Sequence, residues 1–321
     1  MYFKLSQGLP TFSCQFQLKN LLIKVGNPLL WCGNLECTIN KTDDYNVVIL
    51  IMLRYFLIIF SVFFSGCTTS HKISLPKRKA AAVNGADFYN RVATIDRNER
   101  ELQIIKEITS GNIPRFLRKL VPVNVYITDT SNGKIINATY FVTADYLSIG
   151  NNKNFARVPM TPMAAQQIAD SLHCFLPTKK MVDDIYAAAK IKLAPQPLTV
   201  YRDSAITFYQ HHLLIEEGRK NRHGLIAGIK KDVVISSKIN SDAKPNRVAI
   251  YGWHQLNGQP IQPLYTGHVN WYVDYSHGIR LVYRTILING KAVDYIDVLK
   301  DKLLHKLLTD EQVPDFYRYP Y

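Results

Sequence analysis

The sequence predicts an α+β fold in a single domain, and three observations predict it. Helical patterns group in the middle of the chain, with strand-forming runs on both sides, instead of alternating with strands as βαβ units do. An Asn-Gly pair near the C-terminus sits between two strand runs, the strongest short hairpin signal. After one apolar run near residue 60, about 255 residues remain, enough for one large domain.

The elements follow in order. "DFYNRVATIDRNERELQIIKEITSG" has helical spacing at Leu102, Ile105 and Ile108, with Gly111 as its stop. "LVPVNVYIT", a turn over Ser131-Asn132-Gly133-Lys134, and "INATYFVTADYLSIG" read as strands, being rich in β-branched and aromatic residues. Thr161 followed by Pro162 is an N-cap with proline at the first helical position. Thr178 repeats the device and begins a helix that buries Met181, Ile185 and Ala188 or Ala189. A third helix is expected from about Val200 to Arg219, followed by core strands in "DVVIS" and "RVAIYGW". "GIRLVYRTILINGKAVDYI" forms the hairpin around Asn289-Gly290. The leucines at 299, 303, 304, 307 and 308 then line one face of a closing helix. No internal repeat or low-complexity tract is present.

The segment "FLIIFSVFFSGCTTSHK", residues 56–72, decides where the domain is expected to reside. From Met52 the chain supplies a positive residue, Arg54, an apolar stretch from Tyr55 to Phe64, and small residues before Cys67. Phe64-Ser65-Gly66-Cys67 resembles the lipobox of bacterial lipoproteins, in which the cysteine is acylated and the peptide is cut just before it. The resemblance implies an exported protein, anchored to a bacterial membrane by lipid on Cys67. Residues 1–51 would then precede the true start, 52–66 would be signal peptide, 67–86 an acylated tether, and 87–321 the extracytoplasmic domain. The alternative is a transmembrane helix over Val47 to Phe64. It puts Arg54 near the bilayer centre, at about 2.5–3.5 kcal/mol on insertion scales.

Five of the 39 Lys and Arg residues and three of the 25 Asp and Glu residues precede Cys67, so the mature chain carries +12. On an exported protein this charge suits anionic surroundings: lipid headgroups, an anionic envelope polymer or peptidoglycan. No helix-turn-helix, zinc-finger or aromatic RNA-binding signature is present, and no nucleic acid is expected. Cys174 is the only mature cysteine besides Cys67. It is expected as a small core residue, and neither a disulfide scaffold nor a cysteine zinc site can be built.

Polar chemistry concentrates in residues 222–236 and 250–282. His254, His268, Asp274 and His277 fall among Trp253, Tyr265, Trp271, Tyr272 and Tyr275, with Gly and Pro turns between them. Such a group is expected to line a loop-built pocket. Three chemistries fit. His268, Asp274 and His277, with His254, would hold a divalent metal such as zinc. The same groups would activate water or Ser276 without metal, while Lys231 with Lys230 and Arg280 bind an anion and Asp232 lies in a loop reaching the site. Or Trp253, Tyr265, Trp271 and Tyr272 would stack on sugar rings in a non-catalytic carbohydrate or peptidoglycan binder. The His268 and Asp274 pair is loosely similar to the ligands of zinc peptidases that cut cell walls. It is one residue short of that spacing, and no Glu-x-x-His follows, so no ligand set is carried over. In a straight strand His268 and Asp274 would stand about 20 Å apart, so a shared site requires the chain to bend. His211 and His212 read as one packed and one solvated residue of a helix, and His305 as polar-side. The expectation is a hydrolase of an envelope or extracellular polymer, with the binder as the alternative.

Overall fold

The computed structural model describes residues 71–321 except 313, and before them only a short antiparallel pair, Leu21–Ile23 (β1) with Leu30–Cys32 (β2). Cys67, the apolar run and the expected start at Met52 lie outside the described residues. The chain divides into two compact units, 1–68 and 69–321. Among the described residues no helix is long and apolar enough to cross a membrane.

The second unit is α+β. Its larger sheet centres on Ile135–Val142 (β4), which pairs antiparallel along its length with Val121–Thr128 (β3). The turn between them is closed by Asp129, whose carboxylate accepts from the Ser131 N–H and the Asn132 amide. The other edge of β4 carries Val282–Tyr283 (β14) and Thr285–Ile288 (β15). Lys291–Asp294 (β16) completes the hairpin, with Asn289 and Gly290 at φ 47° and 82° as its turn demands. Cys174–Phe175 (β7) pairs with β14, so Cys174 is core, and burial raises its thiol pKa. Ser148–Gly150 (β5) pairs with Phe155–Arg157 (β6), and Ile191–Lys192 (β8) runs parallel to Ile226–Ala227 (β9).

The helices begin where their caps dictate. Asn84 caps Gly85–Val92 (α1), Asp96 caps Arg97–Thr109 (α2), and Arg115–Arg118 (α3) is a single turn. Thr161, Thr178 and Ser204 each accept a backbone N–H at the start of Pro162–Ser171 (α4), Lys179–Ala188 (α5) and Ala205–Arg219 (α6). On α2 the buried face is Arg100, Ile104 and Ile108, and the expected Leu102 is exposed. The leucine-rich end is not one helix. Tyr295–Lys300 (α7) stops at Asp301, whose carboxylate caps Leu303 and Leu304 instead, and a 3₁₀ turn over Leu304–Leu307 follows. That break turns His305 inward, where it is buried rather than on a polar side.

His211 and His212 are both buried. His212 lies 3.1 Å from Arg157, which is paired with Asp145 at 2.6 Å and Glu216 at 2.8 Å, a buried ionic cluster joining α6 to β6. Residues 71–84, read from the sequence as tether, lie against the domain. Ile73 is buried and its N–H donates to Arg118 O, and Arg118 in turn reaches the Leu75, Pro76 and Gly111 carbonyls. A side chain at Gly111 (φ 88°) would meet the Pro76 carbonyl, so only glycine permits this close approach.

The second sheet positions the site. Its order is Pro260–Val269 (β12), Arg247–His254 (β11), Lys231–Val234 (β10) and His277–Gly278 (β13), with β13 parallel to β10. Register shifts on either side of Ile250 interrupt the β11–β12 pairing, irregularities of the kind that bend a strand. The C-terminal Tyr319 locks this sheet, its hydroxyl donating to Val234 O and accepting from Ala249 N.

Candidate functional site

The chain bends between His268 and His277. β12 ends at Val269. The Tyr272 N–H then bonds Val269 O at 3.0 Å and the His277 N–H bonds Asp274 O at 3.1 Å, so two turns replace the extended path. His268 and His277 consequently come within 6.2 Å, ring centre to ring centre, with Tyr272 packed 4.6 Å from His268. His277 Nε2 stands 4.0 Å from Asp274 Oδ1. That nitrogen is buried with no hydrogen-bond partner, and burial pulls the His277 pKa down to about 4 against the opposing pull of Asp274.

Asp274 is fully buried and heavily supported. Its Oδ1 accepts the Ser276 N–H at 2.8 Å and the Ser276 hydroxyl, and its Oδ2 accepts Arg202 Nη2 at 2.7 Å. Burial would raise its pKa, but His277, Ser276 and Arg202 outweigh burial and hold the carboxyl below its usual range. Ser276 itself is buried, its hydroxyl spent on Asp274, so it acts as a support and not as an exposed nucleophile. His268 is half-buried, and burial lowers its pKa, which favours the neutral imidazole.

Behind this group lies a layer of cations. Lys231 donates its N–H to Ser276 O at 2.7 Å, and its Nζ sits 5.4 Å over the Trp253 ring. Trp253 is buried at φ 57° directly after Gly252 at φ 105°, a conformation costly for a bulky residue and of the kind found at functional sites. Lys230 is enclosed, within 2.9 Å of His211 Nδ1 and bonded to the Tyr275 carbonyl, and burial lowers its pKa to about 7.

Neighbouring residues of a strand face opposite sides, so Asp232 leaves this group. It accepts the Tyr146 hydroxyl at 2.7 Å and lies 3.9 Å from Arg280, and burial raises its pKa to about 6. Arg280 is committed to the Thr143 and Ile226 carbonyls and covers the Tyr146 ring, so it is a buried structural cation and not an open anion site. His254 also separates from the other histidines: its Nε2 is 2.9 Å from Asp183 Oδ1 and its ring stacks on Tyr186. Of the four aromatic residues proposed to stack on sugar, Trp253 is buried and Tyr272 packs on His268, while Tyr265 and Trp271 are 42% and 48% exposed.

Arg202 and His211 belong to the group, although sequence reasoning did not single out Arg202 and read His211 only as a residue of a helix face. Each comes from a segment more than fifty residues before Asp274, and no spacing marks it. Among the described residues no three His, Cys, Asp or Glu side chains stand placed to hold a metal ion together. No protein-family model, curated protein or solved structure matches the chain.

Proposed function

We propose that the chain is a hydrolase of an envelope or extracellular polymer, held to a bacterial membrane by lipid on Cys67, with His268 activating the attacking water. One observation carries the catalytic part: a half-open histidine over a buried pair, His277 and Asp274, in which the imidazole Nε2 keeps no hydrogen-bond partner. Five buried side-chain atoms among the described residues lack a partner, and three of them, on His277, His211 and Trp253, fall in this group, where they call for an explanation such as a catalytic role. Neutral at pH 7, His268 accepts a proton from water, whose oxygen attacks the substrate's electrophilic carbon. The proton then passes to the leaving group. Ionised Asp274 stabilises the imidazolium formed in between, and Ser276 holds that carboxylate in place. Lys231 and the free N–H groups of Arg202 supply positive charge for the oxygen that becomes anionic. A divalent metal held by His268 and His277 is the competing way to activate the same water.

Exposed Tyr265 and Trp271 favour a second reading, a carbohydrate or peptidoglycan binder in which these rings stack on sugars. The test is release of new chain ends from cell-wall polymer, with and without chelator, by the parent chain and by His268→Ala. Enzyme and binder separate on turnover, and the two ways of activating water separate on the chelator. Cys67→Ser tests the anchor independently, since acyl mass on the Cys67 peptide has to vanish in that variant.

A further inference from the structure

A cavity of about 600 Å³ opens where the run after His71 lies against α3 and the β5–β6 turn, and five cations line it: Lys77, Arg78, Arg115, Arg118 and Lys153. Among the described residues none of the five is ion-paired with a carboxylate. Arg78 and Arg118 form the fixed part. Arg118 donates only to main-chain carbonyls, and Arg78 to carbonyls and to Asn112 Oδ1, so neither charge is neutralised by these bonds. From this cavity Glu107 is reached only through Asn112, and its other oxygen pairs with Arg91 at 3.4 Å. Lys77, Arg115 and Lys153 form an exposed rim, and the Arg115 N–H bonds Asn152 Oδ1 at 2.7 Å, which ties two sides of the cavity together.

The surroundings extend the same charge. The lining residues fall within stretches 71–86, 108–128 and 146–169, which contain no Asp or Glu and are bounded by Asp87, Glu107, Asp129, Asp145 and Asp170. Lys72, Lys79 and Lys119 are exposed beside it. A concave surface with one sign of charge focuses its field on a counter-ion, and clustered Arg and Lys match phosphate oxygens. We propose that this cavity and its rim seat the phosphate groups of anionic phospholipids, laying this end of the domain against the membrane.

The choice of lipid over other phosphates comes from chain length, and it rests on the anchor in the proposed function. Lys77 is the tenth residue after Cys67, a reach of at most about 35 Å, and from His71 onward the chain is already docked on the domain. An acyl chain on Cys67 therefore keeps the cavity near the headgroups, where basic clusters are attracted to anionic lipid.

The test is an amine-acylation footprint, read by mass spectrometry, of the full chain reconstituted into phosphatidylcholine vesicles with and without phosphatidylglycerol. The expected result is severalfold weaker labelling of Lys77 and Lys153 in the anionic vesicles, with exposed Lys220 and Lys291 unchanged and the protection reversed by salt. Arg115→Glu with Lys153→Glu should abolish the protection of Lys77. Equal labelling in the two vesicle types overturns the proposal. So does protection by inorganic phosphate in detergent with none on vesicles, which assigns the cavity to a free anion. The Cys67 peptide in the same digests reports the anchor: protection without acyl mass removes the anchor and keeps the headgroup site, and acyl mass without protection does the reverse.

Discussion

His254 and His277 belong to the same sheet, and both are buried, yet their hydrogen-bonding capacity is used differently. His254 Nε2 is saturated by Asp183, which also accepts the Tyr251 hydroxyl and pairs with Lys179, and the ring is stacked on Tyr186. His277 Nε2 has a carboxylate at 4.0 Å and no bond, because that carboxylate is already engaged by Ser276 and Arg202. A saturated histidine stabilises the fold and has little left to offer a substrate. An unsaturated one beside a half-open His268 keeps a donor or acceptor available to chemistry.

The largest effect should separate the two groups on activity. His268→Ala is expected to lower hydrolysis about 10²–10⁴-fold, the usual worth of a general base, whereas His254→Ala leaves turnover unchanged. Steady-state rates on cell-wall polymer, with circular dichroism confirming both folds, check this.

Stability should separate them next, in the opposite sense to simple proximity. Asp274→Ala removes a buried carboxylate and leaves the buried Ser276 N–H and hydroxyl without an acceptor, at about 1–3 kcal/mol each, while the exposed Arg202 is resolvated. Asp183→Ala removes a partly exposed carboxylate and should cost about 1 kcal/mol. Urea unfolding gives both values, and equal losses would erase the distinction.

The pH dependence sharpens the comparison further. His277 is neutral in the folded state down to about 4, while an unfolded histidine titrates near 6.5. Its contribution is complete above about 6.5 and is lost as pH falls through about 4, at most about 3 kcal/mol. Asp232, raised to about 6, works the other way: its contribution is complete below about 4 and is lost as pH rises through about 6. His277→Gln should therefore flatten the acid loss of stability, and Asp232→Asn should steepen it, measured as urea midpoints at pH 7 and pH 5. The smallest effect is expected for Trp271→Ala. The ring is 48% exposed, so stability should change by less than about 0.5 kcal/mol with turnover intact. Loss of polymer binding in that variant, with no turnover in the parent, would favour the binder.

Much of this architecture could be read from local signals, because caps and turns are local chemistry. Thr161, Thr178 and Asn289-Gly290 each fix an element within four residues, and each is found where expected. Failures came where a further contact, local in one case and distant in the others, overrode the pattern. The leucines from 299 to 308 carry a helical stripe, but Asp301 caps a new turn in the middle. His211 and His212 are both buried because Lys230 and Arg157 reach them from other segments. In the site, His268, Asp274 and His277 were legible as a group since ten residues contain them, although not the bend that joins them. Arg202 was not, because a contact across 72 residues leaves no mark in spacing. His254 was grouped with the others by sequence proximity. The strained pair Gly252-Trp253 breaks the alternation of β11 just before it, so spacing alone could not say which side it would take.

The most direct measurement is release of new chain ends from purified cell-wall polymer by the parent chain, His268→Ala and His254→Ala, assayed side by side in the presence of chelator. Turnover in the parent and His254→Ala but not in His268→Ala is the predicted result. Equal turnover in all three, or none in the parent, would contradict a hydrolytic site built on His268.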